Sequence, residues 1–511
     1  MTVEREFKLA ADLDFVLPPL TDGAVVAGPP QPVISLDATY YDTSSLALAR
    51  SGLTLRSRTG EAGPAWTLKV PVASDGELMQ RHEIEFDAPL DVIPADARAM
   101  VRAHTRSSAL QAVAKVHTER TQLPLEAAGR TVAVLVDDVV SATSPPLRSP
   151  AGVVPLAGER RFREIEIEVA HGVDPVLLDA VRRRLRDAGC RTDAPVVPKA
   201  VRALGAEAEA PPDVVVQPLQ PGASVADVVG QAVARSVEQL IERHAGVVLG
   251  VDPEAVHQFR VAARRLRSDL RTFGPLLDPS WSASLRTELS WLGAAAGAVR
   301  DTDVLRARLV ARIDRLPAQD AWKAARLLDR LADEAGNARD SLLVALDSDR
   351  YVSLLDSLVD AGGGVRFRSD LGSIGERKAR PAVVPLVRKP WRQLHRAFDD
   401  LGRAPSDEAL HLVRIRAKRA RYALEAIAPV AGARAKRLAG VIANVQDVLG
   451  DHHDTIVAEA WLRGASSALP SARTVAGMLI AFEWQDRAAA RRRLPKAWAT
   501  ATDRDLTRWL R

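Results

Sequence analysis

The chain has 511 residues, 47% of them hydrophobic and 26% charged, so it is too long for one ordinary core, and two or three domains are expected. One cysteine, Cys190, excludes an internal disulfide framework and a thiolate metal cluster. No leader pattern opens the chain and no apolar run reaches the ~18 residues needed to span a bilayer, so a reducing cytoplasm and no membrane partner are expected.

The net charge of +5 is unevenly spread. Residues 1–205 carry 24 Lys/Arg against 27 Asp/Glu, a balance of −3, whereas residues 206–511 carry 46 against 38, a balance of +8. The second part therefore favours polyanionic partners.

From the N-terminus, short alternating segments separated by Pro/Gly turns predict strands at 2–9, 34–42, 53–59, 65–71, 81–87, 115–122, 131–139 and 161–170. Helical patterns intervene at 94–103, 107–113 and 174–188. Eight such strands suggest an α+β domain built on a closed antiparallel barrel. Polar and charged residues recur at period two: Glu4, Glu6 and Lys8; Arg56 and Arg58; Thr67 and Lys69; Arg81, Glu83 and Glu85; Glu164, Glu166 and Glu168. Ile84, Ile165 and Ile167 occupy the alternate face. The apolar faces then pack outward and the charged rows face the barrel interior. Buried ions cost several kcal/mol each without counter-charges. Acidic rows beside basic rows offset one another, and a divalent cation with a polyphosphate chain suits both.

This ordered set resembles the CYTH family, the triphosphate tunnel metalloenzymes. The residues that carry the resemblance are Glu4-x-Glu6-x-Lys8, Tyr40-Tyr41-Asp42-Thr43, Leu55-Arg56-Ser57-Arg58, the Lys69 strand, Arg81-x-Glu83-x-Glu85, Lys115, Arg120, Asp137, the Glu164–Glu168 run and Lys199. The resemblance implies an eight-stranded tunnel over residues 1–205 that hydrolyses or cyclises a triphosphate with Mg²⁺ or Mn²⁺. It implies metal ligation by Glu4, Glu6, Asp137, Glu164, Glu166 and Glu168. Lys8, Arg56, Arg58 and Lys69 would carry the reaction, and Arg81, Lys115, Arg120 and Lys199 would bind phosphates. His117 stands where the family often has arginine, which would leave one phosphate contact pH-dependent or missing.

Residues 206–220 read as a linker within a stretch, 205–222, that has four prolines and no apolar period. Beyond it, Ala/Leu/Arg-rich helical periodicity runs almost to the end, with breaks expected after 297 and 449. An internal repeat is present. His257-Gln-Phe-Arg260-Val-Ala-Ala-Arg264-Arg265-Leu-Arg267 returns as His411-Leu-Val-Arg414-Ile-Arg-Ala-Lys418-Arg419-Ala-Arg421. Gly297-Ala-Val-Arg300-Asp301-Thr302 returns as Gly450-Asp-His-His453-Asp454-Thr455. Two pseudo-equivalent helical halves follow, about 221–350 and 380–511. At ~100° per residue, His257, Arg260, Arg264 and Arg267 share one helix face, as do His411, Arg414, Lys418 and Arg421.

These repeats resemble the CHAD domain, an all-α domain that commonly follows CYTH. The resemblance covers 221–511 and implies two helical bundles around a basic groove that binds inorganic polyphosphate. Asp301 and Asp454 are expected to hold arginines rather than metal. With aromatics at 4%, few stacking platforms are offered to nucleic acid. The expected function is metal-dependent triphosphate hydrolysis with polyphosphate binding. The alternatives are a non-catalytic polyphosphate-docking protein and an adenylate cyclase using the same tunnel.

Overall fold

The computed structural model describes residues 2–20, 24–72, 77–149, 152–154, 156, 158–192 and 197–510. They form two compact units, Met1–Asp213 and Val214–Arg511. The stretch expected as linker is divided between them: Ala206–Glu209 forms a 3-10 turn in the first, with Ala208 buried.

In the first unit eight antiparallel strands close on themselves. They are β1 (Thr2–Ala11), β2 (Ile34–Asp42), β3 (Thr54–Thr59), β4 (Trp66–Pro71), β5 (Met79–Phe86), β6 (Gln111–Ala127), β7 (Arg130–Ser144) and β8 (Gly158–Val169). Their order is β6-β2-β3-β4-β5-β1-β8-β7, and β7 pairs back onto β6 to complete the circuit. The odd-numbered residues of β1 and β8, Phe7, Leu9, Ile165 and Ile167, pack with Val181 and Leu185 of the helix Asp179–Asp187. Each such buried side chain contributes roughly 1.5–3 kcal/mol. That outer core fixes the phase of both strands, and Glu4, Glu6, Lys8, Glu164 and Glu166 are left facing inward. At the β3–β4 turn, Gly60 sits at φ 98°, and a Cβ there would lie 2.0 Å from the Ser35 carbonyl oxygen.

The helical pattern expected at 107–113 is not realised. Gln111 opens β6, whose backbone is committed to ladders with both β2 and β7. One end of the barrel is filled. The short helix Lys199–Leu204 packs Ala200, Val201 and Leu204 against the inward-facing Ala38, Tyr40, Val116, Val140 and Ala142.

The second unit is helical. Its long helices are α1 (Val225–Leu249), α2 (Pro253–Thr272), α3 (Pro279–Ile313), α4 (Ala325–Asp347), α5 (Asp349–Gly363), α6 (Arg388–Asp399), α7 (Asp407–Ala431), α8 (Ala433–Ala468) and α9 (Arg473–Ala501). Caps define several starts: a Ser224/Asp227 capping box on α1, Asp252 with Pro253 on α2, and Ser406 on α7. The breaks expected after 297 and 449 do not occur. Gly297 and Gly450 lie inside α3 and α8, where a helical glycine costs only ~1 kcal/mol. Buried stripes run straight through them, Leu292–Ala296–Val299 in one helix and Val445–Leu449–His452–Thr455 in the other. The equivalent helices of the two repeats, α2 and α7, pack on each other.

Candidate active site and anion-binding groove

The barrel encloses a cavity of about 390 Å³ whose lining is mostly charged. The walls are paired strand by strand. Lys8 stands opposite Glu166, and Glu6 opposite Glu168, across the β1–β8 ladder. Glu4 faces Arg81 across β1–β5. Lys69 donates to both oxygens of Glu4 at 2.6 and 2.7 Å, and Arg81 bridges Glu4 and Glu6. Lys8 is hydrogen-bonded to Glu166 and lies 3.6 Å from Glu6 and 3.9 Å from Glu164. Deeper still, Arg120 makes a bidentate pair with Asp138 at 2.9 and 2.8 Å. Lys199 bonds Asp138 and approaches Glu164 at 3.0 Å.

Titration behaviour follows from these neighbours. Burial pushes Glu4 up, but Lys69 and Arg81 outweigh it and bring it to about 2. Glu6 stays above its ordinary value through burial, with Glu166 and Glu4 adding to it against the pull of Lys8 and Arg81. Glu168, at the more open end, is pushed up to about 7 by burial and by Glu166, with Glu4 and Glu6 contributing. Burial alone would raise the Tyr40 phenol, yet Arg56, Lys199 and Lys69 hold it below its ordinary value.

The β3 wall is different. Arg56 and Arg58 stand four strands from β8 in either direction around the circuit, so they face its glutamate row across the lumen. Arg58 pairs with Glu61 at the rim. Arg56 donates a hydrogen bond to the Tyr40 oxygen, and its buried Nε has no hydrogen-bond partner among the described residues. A cation with a spare Nε–H thus faces a row in which burial and Glu166 push Glu168 up, while Lys199, Lys8 and Arg120 hold Glu166 well below its ordinary value.

Most of the residues expected from the sequence are brought together here, but three are not. Lys115 is exposed on the outer face of β6, level with Thr39 and Thr143, and so is His117, which pairs with Asp37 at 2.9 Å. Asp137 also faces outward, where Arg163 makes two bonds to it at 2.8 and 2.7 Å. Its neighbour Asp138, fully buried, occupies the lumen instead. The carboxylate oxygens of Asp138, Glu164 and Glu166 come within 4.8 Å of one another. Sequence reasoning also left Tyr40 without a role, and gave Asp42 and Thr43 none beyond the motif. The Asp42 carboxylate accepts the N–H groups of Thr43, Leu48 and Ala49, capping the turn that carries the chain from β2 to β3.

All-oxygen donors suit a hard divalent cation such as Mg²⁺ or Mn²⁺. Glu6 and Glu168 have raised values that record negative charge the neighbouring cations leave uncompensated, as a cation site requires, whereas the cations around Glu4 and Glu166 hold both below the ordinary value.

In the second unit a cavity of about 260 Å³ lies between α2, α3, α7 and α8. His257, Arg260, Arg264, Arg414 and Lys418 line it, joined by Arg300, Arg308 and His453. Arg260 pairs with Asp301 at 2.9 Å, and Asp454 lies beside Arg414. The Nε atoms of Arg264 and Arg414 are buried without partners among the described residues. Burial and the charges of Arg414, Arg264 and Arg260 bring Lys418 down to about 7. Arg267 turns to Ser290 at 3.0 Å, and Arg421 to Glu425 at 2.7 Å. His411 packs on His453 with ring centroids 4.9 Å apart. The Asp451–Asp454 run diverges: His452 is buried against Asp407 and Arg491, and Asp451 pairs with Arg493.

No helix of the described residues is long and apolar enough to cross a membrane. Residues 3–188 match the family model for the CYTH domain, and residues 231–463 match that for the CHAD domain. Two Mycobacterium tuberculosis proteins, Uncharacterized protein MT2285 (strain CDC 1551) and Uncharacterized protein Rv2226 (strain H37Rv), are each 34% identical over 473 residues. Those alignments cover 90% of this chain and 88% of each relative. Among solved structures, PptA from Streptomyces chartreusis aligns at 23% identity and TM-score 0.46, covering 54% of this chain and all of that one. The CHAD domain from the plant Ricinus communis aligns at 25% identity and TM-score 0.47, covering 56% of this chain and 95% of that one. The chain belongs to the family of proteins in which a CYTH triphosphate-tunnel domain is followed by a CHAD domain.

Proposed function

We propose that the barrel hydrolyses inorganic tripolyphosphate or an organic triphosphate with Mg²⁺ or Mn²⁺, and that the helical unit binds inorganic polyphosphate. The observation that carries the first half is the opposition of the Arg56–Arg58 wall to the Glu6, Glu166 and Glu168 carboxylates across one lumen. Arg56, Arg58 and Arg120 bind and orient the phosphate oxygens, with Lys8, Lys69 and Arg81 holding the acidic row in place. Such positioning and charge neutralisation supply most of the catalysis in phosphoryl transfer. Glu4, Glu6, Glu166 and Glu168 would hold a divalent cation, which would supply further neutralisation of charge on the anhydride oxygens. Water adds to the terminal phosphorus and gives up a proton to solvent, the bridging P–O bond breaks, and the leaving diphosphate carries the electron pair. In the helical unit, the unpartnered Arg264 and Arg414 donors and the depressed Lys418 support a polyanion site.

The test is to supply tripolyphosphate, ATP and thiamine triphosphate with Mg²⁺ or Mn²⁺ and to quantify both orthophosphate and cyclic nucleotide. Orthophosphate without cyclic AMP is expected. Cyclic AMP as the product from ATP would make the barrel a cyclase, and no turnover of any of the three would remove the enzymatic reading.

A further inference from the structure

The lumen is closed at one end. Inward-facing residues of β2, β6 and β7 (Ala38, Tyr40, Val116 and Val140 among them) form one apolar cluster with the helix Lys199–Leu204, which fills the barrel there. The charged cavity stops on Lys199 and Ala200 at the start of that helix, beside Tyr40. Exposure falls along the way in. The Glu61 and Glu168 side chains are 36% and 34% exposed, Glu166 5%, and Glu164 and Asp138 1% and 0%.

We infer that the barrel is a blind socket, open at the Glu61–Glu168 rim and floored by Tyr40 and Lys199, which admits a phosphate chain only by an unesterified end. The inference rests on the triphosphate reading above and narrows its substrate class. The floor has the Tyr40 hydroxyl, able to donate to an oxygen of a terminal phosphoryl group, and the Lys199 ammonium, which also holds Asp138 and Glu164, and the apolar cluster behind it leaves no room for a second ester group. One organic substituent is accommodated at the rim; a triphosphate esterified at both ends has no free end to insert. A long linear polyphosphate is engaged at its terminus and shortened from there, and a cyclic triphosphate, having no terminus, is refused.

The experiment compares four ligands on the full chain with Mg²⁺: tripolyphosphate, ATP, P1,P3-di(adenosine-5′) triphosphate and trimetaphosphate. Binding is read by calorimetry and turnover by phosphate release. Tripolyphosphate and ATP are expected to bind, and the doubly esterified and cyclic compounds to bind at least about a hundredfold more weakly, or ~2.7 kcal/mol. Diadenosine triphosphate or trimetaphosphate bound within tenfold of ATP would overturn the blind socket while leaving the triphosphate reading intact. Failure of all four to bind would overturn that reading, and the socket with it.

Discussion

Glu6 and Glu168 stand directly opposite each other on adjacent antiparallel strands, two carboxylates facing one lumen. Opposed residues of this kind have Cβ atoms roughly 4.5–5.5 Å apart, and like charges so placed repel. Burial and repulsion keep Glu168 protonated up to about pH 7, whereas in the unfolded chain it ionises at the ordinary value. Its folded form therefore binds more protons between those values. The stability it contributes is complete below about pH 4.5 and is lost as pH rises towards 7. Melting temperatures of the metal-free protein should fall from pH 5 to pH 8, and Mg²⁺ should restore most of the loss at pH 8. The Glu168→Gln variant should show a shallower fall and a smaller Mg²⁺ response.

Arg56 supplies a buried guanidinium with a free Nε. Removal of one preorganised donor to a developing charge costs about 10²–10³ in kcat. Arg56→Ala should lose that much in steady-state phosphate release, and Arg56→Lys should recover only part, since an ammonium lacks the planar fork.

Asp137 and Lys115 lie outside the lumen, so their variants separate fold from chemistry. Asp137→Ala leaves Arg163 without its bidentate partner and should cost about 1–3 kcal/mol of stability in chemical denaturation. Turnover by both Asp137→Ala and Lys115→Ala should stay within about twofold of the parent, since surface changes away from a site rarely propagate.

Lys418 makes polyphosphate affinity depend on pH. Arg414, Arg264 and Arg260 crowd it and Asp454 only partly offsets them, so near pH 7 it is half-charged. Burial holds His453 down at about 4, and burial with Arg300 holds His257 below its ordinary value. A bound polyanion favours the ammonium, so binding takes up a proton, and affinity should fall by up to about tenfold per pH unit above 7. Calorimetry at pH 6.5, 7.5 and 8.5 measures it, and Lys418→Arg should flatten the profile. At constant pH, reversing Arg260 and Arg414 to Glu should weaken binding at least about tenfold, ~1.4 kcal/mol.

Period two in the charged rows made the barrel and most of its lining legible, because each row sits opposite an apolar face that must pack outward. Asp137 and Asp138 show where that reasoning stops. On β7 both faces are apolar, Ala133 and Leu135 packing outward and Val140 and Ala142 inward, so alternation alone leaves the phase of the strand open. Lys115 had a usable signal: it lies five positions before Arg120, so an unbroken strand turns the two to opposite faces. In the helical unit the repeat located α2 and α7 and their basic faces. Arg300, Arg308 and His453 complete the groove from α3 and α8, and the expected breaks at Gly297 and Gly450 hid the continuity of those helices.

The most direct measurement of the central claim is orthophosphate release from tripolyphosphate by the full chain, with Mg²⁺ or Mn²⁺, with chelator, and in the Glu6→Gln and Arg56→Ala variants. Metal-dependent release that chelator abolishes and both substitutions cut by about a hundredfold or more is the expected result. Release unchanged by chelator, or equal in the parent and both variants, would contradict a reaction between the acidic row and the Arg56 wall.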